Sequence, residues 1–288
     1  MFVVMTIYEW QRHFIEQLKD LYPLHEASVI SSMILESMVA ITKADIIKYP
    51  NQTLSLAEEH TLANALSELL IHKPVQYVMG FTWFNHLKLK VNEHVLIPRP
   101  ETEEMIQMLN KDFFQSSDLQ ILDIGSGSGC IPISIKKSNP SFLITSIDIS
   151  PSAMKVAQEN AISNAAEITF KQTDFLDQST WNSLDIYDII VSNPPYIPES
   201  DMSSMNKNVL SYEPHQALFV NESNPLVFYE AIMQFGKSHL HTSGKIYLEI
   251  HESFGDEIES LFRKNGYVIS IKKDLFDKDR FAIASLCQ

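Results

Sequence analysis

The chain has 288 residues, of which 45% are apolar and 20% charged, a balance that excludes intrinsic disorder and fits a folded globular protein. Its 36 acidic against 22 basic side chains give a net charge of −14, which leans against a duplex nucleic acid as partner, because such binding works through Lys and Arg contacts. No apolar run approaches the roughly 20 residues of a membrane span. The only cysteines, Cys130 and Cys287, lie far apart without metal-type spacing. A reduced, cytosolic protein without a metal is expected.

The opening "MFVVMTIYEW" lacks the basic flank and long apolar segment of a secretory signal, and Met5 can serve as the natural start. Helices come first. "IYEWQRHFIEQLKDLY" spaces Trp10, Phe14, Leu18 and Leu21 along one helical face, and "HEASVISSMILESMVAI" does so with Val29, Met33 and Ser37 or Val39. Ser55 before "LAEEHTLANALSELL", with Glu58 three positions on, is a capping box. No glycine precedes Gly80, and a small helical bundle is expected over 1–75. "VQYVMGFTWFNHLKLKVNEHVLIP" then alternates polar and apolar residues around "FNH", which predicts a β-hairpin linker over 76–97. "PRPETEEMIQMLN" begins a helix, with Pro100 in its first turn and acids at its positive end.

Over 98–288 strands and helices alternate. "LQILDIG", "FLITSIDIS", "EITFKQTD", "YDIIVSN" and "GKIYLEIH" read as strands; "CIPISIKKSNP", "SAMKVAQENAISN" and "DEIESLFRKNG" read as helices. The last pair, "YVISIKK" and "RFAIASL", has too short a link for a crossover and is expected to run antiparallel. The pattern is α/β: a doubly wound, mostly parallel seven-stranded sheet covered on both faces. Such sheets bind ligands at the C-terminal ends of their strands.

Three of the chain's eight glycines, Gly125, Gly127 and Gly129, stand in "ILDIGSGSGC" directly after the first strand of this sheet, interleaved with Ser126 and Ser128. Glycine there allows a tight turn and close approach of a ligand, and the following helix points free N–H groups at an anion. By itself G-x-G-x-G also fits nicotinamide or flavin binding. Asp148 ends the next strand, where a carboxylate can accept both ribose hydroxyls of an adenosine. Asp174 and Phe175 end the third, an acceptor beside an aromatic that suits an adenine.

The fourth strand stops abruptly in "VSNPPYIP". Pro194 holds Asn193 extended, and neither Pro194 nor Pro195 has an N–H to donate. The turn therefore offers acceptors, the Asn193 side-chain oxygen and the backbone carbonyls. A planar NH2 group buried with its donors unpaired would lose ~1–3 kcal/mol for each. Two fixed acceptors satisfy both and aim the nitrogen at an electrophile, while Tyr196 can cover the flat face of the group. A plain strand terminator would need one proline and neither Asn nor Tyr. A methyl on a sulfonium, transferred in line, fits as the electrophile, with positioning supplying most of the rate.

An N-P-P-Y turn after a G-x-G-x-G loop resembles the S-adenosyl-L-methionine-dependent methyltransferases of planar amino groups. With "PVQYVMG", "VLIPRPETEE", "ILDIGSGSGC", "DISPSAMKVAQENA", "DIIVSNPPYIP" and "YEPHQAL", the chain is similar over nearly its full length to the HemK/PrmC family of N5-glutamine methyltransferases. The resemblance implies a class I methyltransferase fold and S-adenosyl-L-methionine as cofactor, released as S-adenosyl-L-homocysteine. It implies cofactor contacts from Gly125 to Gly129 and at Asp148 and Phe175. It implies that Asn193 and the Pro194 carbonyl hold a glutamine amide, with Tyr196 packing on it. It also implies a protein substrate, the Gly-Gly-Gln tip of peptide chain release factors, docked with help from the helical N-terminal domain. A monomer with no direct nucleic-acid or membrane partner is expected. The runner-up activities are methylation of adenine or cytosine in DNA, disfavoured by the acidity, and of a ribosomal-protein glutamine. Three places depart from the family: "FVNESNPLVFY" replaces a glycine-rich turn, and His251 and Asp277 stand where glycine is frequent.

Overall fold

The computed structural model describes residues Met5–Cys287. The reading of Met5 as the natural start concerns residues 1–4, which lie outside them. Two compact units are present. One takes in the chain up to Phe81 together with Asn206–Tyr212, the other Thr82–Met205 and the chain from Glu213 onward.

The first unit is helical: α1 (Ile7–Leu18), α2 (Leu24–Val39), α3 (Lys43–Lys48), α4 (Leu56–Leu70) and α5 (Val75–Met79). Three of its helices, α1, α3 and α4, have starts set by side chains. Ser55 accepts from the Glu58 N–H while Glu58 accepts from the Ser55 N–H, the expected capping box, and Thr6 with Glu9 and Thr42 with Asp45 repeat it. Ile7, Trp10, Phe14 and Leu18 form the buried stripe of α1. Fully enclosed side chains such as Phe14 and Leu18 contribute about 1.5–3 kcal/mol each. The buried face of α2 is not the expected one. Ala27, Ile30, Ile34 and Leu35 point inward, whereas Val29 is 47% exposed, because the larger apolar stripe runs through the isoleucines one position on.

β1 (Phe81–Phe84) and β2 (Leu87–Lys90) make a hairpin around "FNH", shorter than the linker expected over 76–97. The stretch "VQYVM" is the helix α5, and from Thr82 the hairpin is part of the second unit. Asn85 and His86 both have positive φ, as a two-residue turn of the primed type requires. Then come α6 (Pro100–Asp112), β3 (Gln120–Ile124), α7 (Cys130–Ser138), β4 (Leu143–Asp148), α8 (Pro151–Ser163), β5 (Thr169–Gln172) and β6 (Tyr187–Ser192). The stretch between β6 and the next long strand holds a miniature parallel pair, β7 (Ile197–Pro198) with β8 (Phe219–Val220), and two short helices, α9 (Lys207–Tyr212) and α10 (His215–Leu218); α9 belongs to the first unit. The chain closes with α11 (Val227–His239), β9 (Leu240–Glu249), α12 (Gly255–Lys264), β10 (Tyr267–Lys273) and β11 (Asp279–Leu286).

Seven of these strands form one sheet in the order β10-β11-β9-β6-β3-β4-β5. β3, β4, β5, β6 and β9 pair in parallel, and β11 runs antiparallel to both its neighbours, as the short final link requires. Two apolar layers cover the faces. One contains Leu122, Ile190, Leu248, Tyr229, Phe235 and Phe262, the other Ile121, Ile189, Val191, Met105, Ile133 and Phe142. Adjacent residues of one strand divide between the layers, as a sheet buried on both faces demands. The reversal of strand order lies between β3 and β4, with β6 on the far side of β3. Their carboxyl ends therefore open on a common crevice. Asp277, one of the departures from the family pattern, has φ 63, the left-handed conformation in which glycine is ordinarily found and which Asp tolerates.

Candidate active site

A cleft of about 390 Å³ lies at those carboxyl ends, a size usual for a small-molecule site. Four of the parallel strands, β3 to β6, each deliver expected residues to it. Gly125, Ser126, Gly127 and Ser128 follow β3, Asp148 ends β4, Asp174 and Phe175 follow β5, and Asn193, Pro194 and Pro195 follow β6. Residues read from four separate stretches of sequence thus face one cavity. Two expected site residues do not line it, Gly129 and Tyr196.

The loop after β3 is built for close approach. A Cβ placed on Gly125 or Gly127 would meet nothing within 4 Å, so a ligand can lie against the bare main chain there. Gly129 does other work. With φ at +81°, its missing side chain leaves room for Ile133 Cδ1, 2.9 Å from where a Cβ would sit, and for Ala157 Cα at 3.3 Å. It lets α7 pack against α8 and contributes to the site only by holding the loop.

Asp148 accepts from the Gly127 N–H at 2.9 Å through Oδ2 and from the Ser150 N–H at 2.8 Å through Oδ1. Burial raises the carboxyl above the ordinary range, opposed by the backbone N–H groups of Gly127, Ser150 and Ile149. Asp174 accepts from the Leu176 N–H and is exposed. Phe175 is buried, stacked on Trp181 with centroids 5.6 Å apart, so it forms a fixed wall rather than a mobile cover. Beneath the loop lies Asp123, wholly enclosed. Ser146 donates to it at 2.6 Å, and burial pushes its carboxyl up to about 8. The open backbone, the carboxylate at the end of β4 and the aromatic wall after β5 fit an adenosine cofactor.

At the opposite end of the cleft, Asn193 Nδ2 donates to Thr102 Oγ1 at 3.1 Å, and Thr102 donates to Glu249 Oε2 at 2.7 Å. Tyr196 donates to the other oxygen, Glu249 Oε1, at 3.0 Å, and Tyr229 donates to the Glu249 carbonyl at 3.1 Å. Thr102 and Glu249 are 2% and 1% exposed. Burial raises the Glu249 carboxyl, opposed by the Thr102 and Tyr196 hydrogen bonds and by Arg280. Burial also raises the Tyr196 phenol, with the neighbouring Glu249 carboxylate acting the same way. The Tyr196 hydroxyl thus points into the protein, and its ring meets His251 edge-on at 6.1 Å. His251 does not line the cleft either.

Two further devices shape the walls. Arg99, which lines the cleft, pairs with buried Glu213 at 2.7 Å, and Glu213 also accepts from the Ile97 N–H. This joins "VLIPRPETEE" to "YEPHQAL", two stretches whose purpose the sequence alone did not give. Asn160 on α8 bonds the Lys90 N–H and carbonyl and also the Ser128 carbonyl, tying the hairpin to the end of the glycine loop. Sequence reading missed Thr102, Asn160, Glu213 and Glu249. Thr102, Asn160 and Glu213 sit within quoted motifs, whereas a Glu inside the apolar run "KIYLEI" was the one available signal for Glu249.

Comparison with known proteins places this geometry. Residues 101–269 match the model of the methyltransferase small domain, and residues 9–80 match that of the PrmC N-terminal domain. A protein of Flavobacterium psychrophilum named release factor glutamine methyltransferase is 37% identical over 280 residues, 96% of this chain and 98% of its own. The chain belongs to the release factor glutamine methyltransferase family. A member of the same name from Bacteroides thetaiotaomicron is 36% identical over 94% of this chain and 96% of its own. A methyltransferase structure from Pyrococcus furiosus shares the fold, with a TM-score of 0.50 at 16% identity over 78% of this chain and 98% of its own. Among the described residues, no helix is long and apolar enough to cross a membrane.

Proposed function

We propose that the protein methylates the side-chain amide nitrogen of the glutamine in the Gly-Gly-Gln motif of peptide chain release factors. One observation carries the reading. Asn193 spends its Nδ2 on Thr102, so its acceptor Oδ1 is left for the cleft, on a turn whose two prolines offer carbonyls and no N–H. Oδ1 and the Pro194 carbonyl then take the two N–H groups of the glutamine amide and hold its plane. A carboxylate in the substrate's place would leave these acceptors facing lone pairs, which selects a planar NH2 group.

S-adenosyl-L-methionine supplies an electrophilic methyl on a sulfonium when bound, and S-adenosyl-L-homocysteine is its product. The bare backbone at Gly125 and Gly127 accommodates its polar end, Asp148 accepts from the ribose hydroxyls, and Asp174 with the Phe175 wall receives the adenine. The Asn193 turn faces this cradle across the same cleft, so the residues bring the amide nitrogen to the methyl and rate comes from orientation. Tyr196 braces the turn through Glu249. In this reading residues 1–75 dock the release factor, 76–97 link, and 98–288 carry the chemistry in the cytoplasm.

The test is to incubate the purified protein with methyl-labelled S-adenosyl-L-methionine and a release factor. Label is expected on the Gly-Gly-Gln glutamine and absent with Asn193→Ala, whose cofactor binding is retained. Label on duplex DNA, or on a ribosomal protein in preference to the release factor, would refute the assignment.

A further inference from the structure

The two ends of the Asn193 side chain are chemically opposite: Oδ1 accepts hydrogen bonds and Nδ2 donates them. Only the acceptor end can hold an N–H of a substrate amide. Both ends have nearly the same shape, so packing alone selects neither. Something must fix which way round the amide stands.

Glu249 does so from behind. Its carboxylate is enclosed and receives two donors, Tyr196 on Oε1 and Thr102 on Oε2. A carboxylate engaged in this way only accepts, so the single hydroxyl proton of Thr102 is committed to it. Thr102 Oγ1 is left with lone pairs, and Asn193 can meet it only with Nδ2, as the 3.1 Å contact shows. Oδ1 must then face the cleft. We propose that Glu249 and Thr102 are positioning residues that set the direction of the Asn193 amide through a one-way chain of hydrogen bonds, an inference that rests on the amide-methylation reading above.

The arrangement joins three places remote in sequence: the first turn of α6, the turn after β6 and the last residue of β9. Enclosing a carboxylate costs stability relative to an apolar side chain, and Arg280 offsets part of that cost here. A merely structural polar contact would be served as well by a neutral Gln at 249. A Gln, however, can turn its NH2 toward Thr102, which frees the threonine proton to donate to Asn193 and lets the amide reverse. Directionality is what the carboxylate adds.

Thr102→Val removes the hydroxyl at similar volume, and Thr102→Ser keeps it. With labelled S-adenosyl-L-methionine and release factor, Thr102→Val is expected to lose about 100-fold in kcat, the scale of a misplaced reacting group. The KM for the release factor and the affinity for S-adenosyl-L-homocysteine should change little, and Thr102→Ser should recover most of the rate. A second readout needs neither ligand. The Asn193 NH2 protons of 15N-labelled protein should exchange slowly in wild type and Thr102→Ser and rapidly in Thr102→Val. An unchanged kcat in Thr102→Val, or equal exchange in all three proteins, overturns the proposal. If Thr102→Val does not fold, Glu249→Gln replaces it; lost kcat with faster exchange supports the proposal, and wild-type values in both overturn it. A wild type that shows the Thr102-dependent protection yet labels no release factor leaves the chain of bonds standing and removes the amide-methylation reading.

Discussion

Gly127 and Gly129, two positions apart in one loop, are expected to fail in opposite ways when replaced by alanine. Both have positive φ, at +50° and +81°, so each alanine carries about 1–2 kcal/mol of left-handed strain. At Gly127 nothing else opposes the methyl, which projects into open space on the cleft wall. At Gly129 the methyl would stand 2.9 Å from Ile133 Cδ1 and 3.3 Å from the Ala157 backbone. The terminal methyl of Ile133 can shift, but a helix main chain cannot without opening the α7–α8 contact. Overpacking of this kind adds about 1–3 kcal/mol. Gly129→Ala should therefore lose about 2–5 kcal/mol, a large share of the ~5–15 kcal/mol that holds a typical domain. Gly127→Ala should lose about 1–2 kcal/mol but bind S-adenosyl-L-homocysteine at least about tenfold more weakly, because the methyl occupies ligand space. Urea unfolding and calorimetric titration of the two variants measure the pair of effects. A Gly129→Ala protein within about 0.5 kcal/mol of wild type would refute the packing argument, since that is the range of an inconsequential surface change. Unchanged ligand affinity in Gly127→Ala would refute the placement of the cofactor.

Asp148→Ala should weaken S-adenosyl-L-homocysteine binding, measured by calorimetry, with little effect on release-factor binding, the reverse of what is expected at Asn193. Asp123 gives a pH signature. Burial pushes its carboxyl up to about 8 from the ordinary aspartate value of about 4, so between these values the folded chain keeps a proton that the unfolded chain has lost. The stability it provides is full below about pH 4 and declines toward about pH 8, at up to about 1.4 kcal/mol per pH unit. Urea unfolding across that window should show a steeper decline in wild type than in Asp123→Asn, and parallel profiles would contradict it.

The parts of the fold legible in sequence were those governed by local chemistry. The capping box at Ser55 and Glu58, the turn at "FNH", the apolar runs of the sheet and the antiparallel final pair each follow from residues close together in the chain. α11 was missed because "FVNESNPLVFY" presents turn residues up to Pro225, and the β7–β8 pair because two-residue strands leave no periodicity. The α2 face was misplaced because several apolar stripes fit the same sequence, and tertiary packing chose among them.

The site divides along the same line. That Gly125, Gly127, Asp148 and Asn193 would line one cleft was readable because strand ends gather at one edge of this architecture, so position in the pattern implied position in space. Gly129 fits the motif equally well but faces Ala157 rather than the cleft. Tyr196, next to Pro195 in the chain, turns its hydroxyl inward to a carboxylate that sequence gives no reason to place there. The partnership of Thr102, Asn193 and Glu249 arises only once three distant segments meet at one end of the sheet.

The central claim concerns where a glutamine side chain comes to rest. The most direct measurement is a crystal structure of the protein with S-adenosyl-L-homocysteine and a Gly-Gly-Gln peptide. The peptide's amide nitrogen should lie between Asn193 Oδ1 and the Pro194 carbonyl, turned toward the sulfur of the cofactor product, with Nδ2 still on Thr102. A glutamine bound elsewhere, or an Asn193 rotated so that Nδ2 meets the substrate, would contradict it.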